Sequence, residues 1–159
     1  MRSALFLMIG IVACSRGQSG DASADSAFAQ VQHRGRIAMG VDQYTSTHHF
    51  DPTSDGGLIT LQRDTEDSAG VAQIRRHMVE IAEAFREGHF AIPGFVHDQQ
   101  VPGTATMAER RARISYRPDT VPRGAVLRIT SGDSTAVAAI HEFLAFQRRD
   151  HHATDADHP

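Results

Sequence analysis

The segments DSAGVAQI (Asp67–Ile74) and DSTAVAAI (Asp133–Ile140) share five of their eight residues and lie 66 positions apart in the chain. Extending this alignment without gaps over Phe50–Met78 and Tyr116–Leu144 gives seven identities in 29 positions. Chance alignment at ordinary residue frequencies would give about two. The sequence therefore predicts one structural unit that is used twice.

Each copy has the pattern of two strands followed by a helix. In the second copy, ARISYR (112–117) and AVLRIT (125–130) alternate between apolar and polar residues, the period of a half-buried strand. Val137, Ile140 and Leu144 then recur at helical spacing. The first copy shows the same order, so we expect a ββα unit in each half.

A single ββα unit cannot bury its own apolar face. Two such units together can form a four-stranded antiparallel sheet with two helices on one face, which is an α+β two-layer sandwich. The opposite face of the sheet carries polar residues such as Arg117 and Arg128, and we expect solvent there.

The first residues of the chain have the order of a secretory signal peptide. Met1-Arg2 is positively charged, Ser3–Ala13 is uncharged and mostly apolar, and polar residues follow from Ser15. The apolar run is too short to cross a bilayer as a helix. We therefore interpret residues 1–13 as a signal peptide.

The stretch IVAC (Ile11-Val12-Ala13-Cys14) resembles the lipobox of bacterial lipoproteins. The resemblance implies that Cys14 is acylated and becomes the mature N-terminus. The lipid bilayer would then be a partner, and the protein would sit in the cell envelope facing the periplasm. Ser15 after the cysteine favours the outer membrane over the inner one. A chance cysteine in a plain signal peptide is the alternative.

Composition narrows the possible partners. The chain has 16 basic residues, all of them Arg, against 19 acidic residues, and this balance gives no support for nucleic acid binding. Cys14 is the only cysteine, so an internal disulfide is excluded.

The predicted domain organisation is simple. Residues 14–35 are small and polar and predict a flexible tether, residues 36–150 form a single domain, and residues 151–159 form a disordered tail. Between the copies, residues 88–111 contain two Pro-Gly pairs and predict a long loop. This loop either seals the edge of the sandwich or binds a ligand.

The stretches MGVDQYTSTHHFDPTSDGGLITLQRD (Met39–Asp64) and AIHEFLAFQ (Ala139–Gln147) resemble a group of short, uncharacterised bacterial envelope proteins. The similarity covers most of residues 36–150. It implies no particular activity, but it supports the domain limits.

The two copies differ at three positions where the second copy is apolar and the first is ionisable. At the 66-residue offset these are His48 for Ile114, Arg63 for Ile129 and His77 for Phe143. Burying ionisable groups without partners costs a few kcal/mol each. They must therefore satisfy one another, lie at an edge, or bind a ligand.

These differences lead to a candidate site built by one corner of the first copy and the long loop. The candidate metal ligands are His48, His77, His89 and His97, and the further candidate ligand-binding residues are Arg63, Asp98 and Met107. Zinc would need about four N, O or S ligands, whereas copper(I) would accept Met107. The alternative is a set of hydrogen-bonded or half-exposed residues at the rim of the sheet.

Three functions are compatible with this sequence. The leading hypothesis is a non-enzymatic, lipid-tethered envelope protein that binds a ligand, with zinc or copper as the most concrete candidates. The second is a structural or assembly factor that docks a partner protein on the exposed sheet face or on the long loop, and an exposed apolar patch around Phe90, Ile92 and Phe95 would support it. The third is a small hydrolase with His48 or His97 as base, although no G-x-S-x-G or phosphate-loop signature is present.

Overall fold

The computed structural model describes residues 18–153, with side chains described from Asp25 onward, and has the predicted α+β architecture. The elements are α1 (Gln18–Met39), β1 (Ser46–Thr53), β2 (Gly56–Arg63), α2 (Ser68–Arg86), α3 (Ala91–His97), α4 (Thr104–Glu109), β3 (Ile114–Val121), β4 (Gly124–Ser131) and α5 (Ser134–Asp150). Short 3-10 helices span Gln43–Thr45 and Arg111–Arg113.

The sheet joins the two ββα units through their second strands. Its order is β1-β2-β4-β3, and all neighbouring strands are antiparallel. At the centre, Ile59 of β2 pairs with Leu127 of β4. The predicted four-stranded antiparallel sheet is therefore confirmed.

Helices α2 and α5 each pack mainly on the hairpin of the other unit. Helix α2 contacts β3 and β4, whereas α5 contacts β1 and β2. The core between helices and sheet includes Ile74 and Phe85 of α2 and Ile140 and Leu144 of α5, all at most 2% exposed. This reciprocal packing explains why neither unit could bury its apolar face alone.

Helices α2 and α5 each have an aspartate as the N-cap residue, and a glycine lies two residues after the end of α2. Asp67 accepts a hydrogen bond from the Gly70 amide, and Asp133 accepts hydrogen bonds from the Thr135 and Ala136 amides. Gly88 follows α2 with a φ of 82°, a conformation that glycine adopts without strain.

The 66-residue offset holds for the helices but not for the hairpins. Helices α2 and α5 begin 66 residues apart, whereas β1 and β3 begin 68 residues apart. His48 pairs with Leu61, and Tyr116 pairs with Ile129, so at the 68-residue offset Tyr116 takes the place of His48 and Ile129 takes the place of Leu61. The comparisons of Arg63 with Ile129 and of His48 with Ile114 were therefore wrong, because the corresponding residues are Ser131 and Tyr116. The hairpin offset differs from the helix offset by two residues. Because strand side chains alternate with a period of two, this difference does not change which residues of each strand face the core.

The predicted flexible tether was wrong from residue 18 onward, because α1 spans Gln18–Met39. Within its described side chains, Val31 and Met39 are buried, and Arg34 Nε donates a hydrogen bond to the Val96 carbonyl of α3 at 2.7 Å. Small polar residues with frequent alanine are typical of a tether, but alanine is also the best helix former. The predicted signal peptide and Cys14 lie outside the described residues.

The long loop prediction was also wrong in part, because residues 88–111 contain α3, α4 and a 3-10 helix. Phe90 and Ile92 pack against the core, and Val101 and Met107 are buried. The segment therefore seals one end of the sandwich. Within residues 18–153, no helix combines the length and apolarity needed to cross a membrane.

Candidate functional site

A partly open cavity of about 90 Å³ lies between the sheet, α2 and α5, and residues of α1 and α3 also line it. Its walls are mostly apolar side chains, among them Phe50, Leu61, Ile81 and Val96. Four histidines interrupt this apolar lining: His48 of β1, His77 of α2, His97 of α3 and His151 just after α5. Three of them are residues that the sequence predicted for the site.

His151 is the histidine that sequence reasoning missed. Its ring stacks on that of His48, with centroids 5.1 Å apart and planes 17° apart. It also meets the ring of His97 edge-on, with centroids 5.1 Å apart. The prediction of a disordered tail from residue 151 is wrong for residues 151–153, which the structure places directly after α5, and His151 lines the cavity.

Three of the cavity histidines, His48, His77 and His151, have lowered pKa values. Burial lowers the pKa of His48 to about 4, although the whole residue is only half-buried, and the neighbouring His49 and His77 lower this pKa further. Burial also lowers the pKa of His77, and Glu80 opposes that shift. Burial is the main cause that lowers the pKa of His151 well below its ordinary value, and the neighbouring His48, His97 and His152 lower it further. Near pH 7 these rings are therefore neutral.

His97 anchors α3 to the end of α5. Its side chain is 1% exposed, and its Nδ1 is hydrogen-bonded to Asp150 Oδ2. Its Nε2 lies 2.7 Å from Gln147 Oε1. Both ring nitrogens thus have partners within the protein, which is the arrangement of a structural histidine.

This arrangement gives little support to His97 as the base of a hydrolase. His97 does have a carboxylate beside it, but its second nitrogen faces Gln147 rather than a nucleophile. Among the described residues that line the cavity there is no Ser, Thr or Cys. A histidine base in this position would have no hydroxyl or thiol to activate.

Two of the loop residues predicted for the site lie away from the cavity. The His89 side chain is 71% exposed, and its Nδ1 lies 3.3 Å from Glu87 Oε2. Asp98 is exposed at the end of α3, where it adopts a left-handed conformation with a φ of 54°. The expectation that the loop brings these residues over the His48–His77 corner was therefore wrong.

Met107 and Arg63 are also separate from the cavity. Met107 is completely buried in the core, where it has an ordinary packing role. The Arg63 guanidinium donates to Ser46 Oγ at 2.8 Å, to the Asp42 carbonyl at 3.0 Å and to Asp67 Oδ2 at 3.1 Å. These bonds satisfy the buried charge within the protein, as the alternative interpretation of Arg63 expected.

The cavity does not have the geometry of a metal centre. In the part of the chain that the structure describes, no three or more His, Cys, Asp or Glu side chains are grouped so that they could hold a metal ion. A metal ion lies in the plane of each imidazole that ligates it. The nearly parallel rings of His48 and His151 therefore cannot both direct a nitrogen lone pair to an ion between them.

The apolar patch on which the docking hypothesis depended is mostly covered. Phe90 and Ile92 pack against the core, and only Phe95 of the three is exposed, at 46%. One exposed phenylalanine is ordinary for a protein surface and does not form a docking patch.

Comparison with known proteins identifies no relative: no family model matches the chain, and neither a curated protein nor a solved structure matches it.

Proposed function

We propose that this protein is a lipid-anchored binding protein of the cell envelope, whose histidine-lined cavity takes a small, uncharged and mainly apolar ligand. The observation that carries the proposal is the convergence of His48, His77, His97 and His151 on one apolar cavity. The lipobox-like stretch that ends at Cys14 supports the envelope location.

The chemistry of the walls argues for an uncharged ligand. None of the described lining residues is Asp, Glu, Arg or Lys, and the lowered pKa values of His48, His77 and His151 keep these three rings neutral near pH 7. An ion inside the cavity would therefore lose its hydration without gaining a counter-charge, which is strongly unfavourable.

The size of the cavity limits the ligand further. An apolar protein cavity of about 150 Å³ can hold benzene. The cavity found here, at about 90 Å³, suits a smaller molecule.

Xenon is the appropriate probe, because it binds apolar cavities without needing a polar partner. We expect xenon NMR of the purified protein to show a bound signal that Val96→Phe removes, since the larger side chain fills the cavity. Val79→Phe is the matched control, because Val79 lies on α2, is 45% exposed and is not part of the cavity lining. The absence of xenon binding in the wild type, or equal binding in a folded Val96→Phe variant, contradicts the proposal.

The lipid anchor is tested separately. Cys14→Ser should abolish incorporation of labelled fatty acid and move the protein from the membrane fraction to the soluble fraction. Acylation that persists in this variant contradicts the anchoring at Cys14.

A further inference from the structure

A second and larger pocket, of about 260 Å³, lies on the other side of the His48–His151 pair. We call it the outer pocket. It is lined by Phe28, Gln32, Gln43, Tyr44, Ser46, Thr47, His48, His49, His151, His152 and Ala153. Gln43, His48 and His151 line both spaces and so form the partition between them.

Unsatisfied polar atoms concentrate around the outer pocket. Among the described side chains, four buried polar atoms have no hydrogen-bond partner: Gln32 Oε1, His49 Nδ1, Tyr116 Oη and His151 Nδ1. All except the Tyr116 hydroxyl belong to residues that line the outer pocket. Buried polar groups are rarely left without partners, and these three belong to residues that line one pocket. Each atom has less than 1 Å² of accessible area, so a ligand completes it once its side chain rotates toward the pocket.

The outer pocket combines these polar atoms with aromatic rings and lacks formal charge. The rings of Phe28 and Tyr44 meet edge-on, with centroids 6.3 Å apart, and His152 stacks on Phe28 with centroids 4.1 Å apart. No Asp, Glu, Arg or Lys occurs among the described lining residues. A matching ligand is therefore uncharged, carries several hydrogen-bonding groups and has an apolar face.

From this combination we infer that the outer pocket binds a single neutral sugar ring. A sugar hydroxyl both donates and accepts, so it can donate to Gln32 Oε1 and can pair with His49 or His151 in either tautomer. The C–H face of the ring would pack on the aromatic side chains. Pockets for drug-sized ligands begin at about 300 Å³, so the smaller outer pocket fits one ring rather than a chain of them. This site goes beyond the proposed function and does not depend on ligand binding in the inner cavity.

Saturation-transfer NMR with N-acetylglucosamine as the probe tests the inference. We expect saturation transfer to the sugar ring protons in the wild-type protein. Gln32→Met keeps the size of the side chain but removes its acceptor, and we expect it to weaken binding about fivefold, the effect of one lost hydrogen bond. Gln30→Met is the matched control, since Gln30 is exposed on the same helix.

Two further variants separate this site from the inner cavity. His49→Phe should weaken sugar binding in the same way, and it tests the site even if Gln32→Met fails to fold. Val96→Phe should leave sugar binding unchanged, because Val96 lines only the inner cavity. No transfer to the sugar in the wild type, unchanged binding in a folded Gln32→Met variant, or preferential binding of cytosine or inorganic phosphate would each overturn the inference.

Discussion

The ring of His151 stacks on the ring of His48 with centroids 5.1 Å apart, and this contact connects the end of α5 to the edge strand β1. The same pair separates the inner cavity from the outer pocket. Protonation of both rings would place two positive charges side by side in a desolvated position. The contact therefore disfavours protonation of both rings at the same time.

This relationship predicts a loss of stability in acid. Burial lowers the pKa of His48 to about 4 and also lowers the pKa values of His77 and His151, so the unfolded chain binds more protons than the folded protein in this range. The free energy of unfolding should be insensitive to these groups above about pH 6.5, and it should fall as the pH falls toward about 4. Each such histidine adds a slope of about 1.4 kcal/mol per pH unit. Urea unfolding as a function of pH measures this slope.

His48→Phe should reduce the slope, because it removes one of the buried titrating rings and keeps an aromatic side chain in its place. His33→Phe provides the baseline for exchanging a histidine, since His33 is exposed on α1. A slope that is equal in the His48→Phe variant and the wild type would show that His48 is not a source of the acid sensitivity.

Asp150 is predicted to hold α3 in place through His97. Asp150→Ala removes the carboxylate bonded to His97 Nδ1 and leaves a buried ring nitrogen without a partner. We expect the free energy of unfolding to fall by about 1–3 kcal/mol, with faster hydrogen exchange in Ala91–His97. The control is Glu142→Ala, because Glu142 is exposed on the same helix. Equal effects of the two substitutions would argue against the anchoring role.

The fold was predictable because the duplicated segments carry their signals locally. Asp67 and Asp133 cap the two long helices, and the alternation around Tyr116 marks an edge strand with one buried face. Such patterns depend on residues near one another in the chain. The hairpin offset was not predictable in this way, because a shift by two residues leaves the apolar alternation intact.

The candidate site was predictable only where the two copies could be compared. His48 and His77 stood out because Ile114 and Phe143 match them at the 66-residue offset, and both histidines line the inner cavity. For His48 the structural counterpart is the buried Tyr116 rather than Ile114, so the contrast between the copies survives the corrected offset. His151 has no counterpart in the other copy and lies just beyond the last helix. Its burial results from contacts with His48 and His97, which are distant in sequence, so no local pattern indicated it.

The pairing of the two units requires a glycine at position 124. A Cβ atom placed on Gly124 would lie 1.9 Å from the Leu61 carbonyl oxygen and 2.9 Å from Gln62 Cα, both in the backbone of the neighbouring strand. We expect Gly124→Ala to lower the free energy of unfolding by about 1–3 kcal/mol, because the two inner strands must move apart. Chemical denaturation measures the effect.

Gly132→Ala is the matched control, because a Cβ atom there meets nothing within 4 Å. It should leave stability unchanged or raise it slightly, since alanine restricts the unfolded chain. A neutral Gly124→Ala variant would show that β2 and β4 are less closely paired than the structure has them.

The geometry of the cavity histidines predicts that they do not bind a metal ion. Both ring nitrogens of His97 have partners in the protein, and His48 and His151 are stacked rather than directed at a common point. We therefore expect purified protein to contain no stoichiometric zinc or copper that depends on these residues. Elemental analysis of the wild type, His48→Ala and His77→Ala after dialysis against each metal measures this. One equivalent of metal in the wild type that either substitution removes would show that the histidines rearrange around an ion, and the neutral, apolar ligand proposed for the cavity would then be wrong.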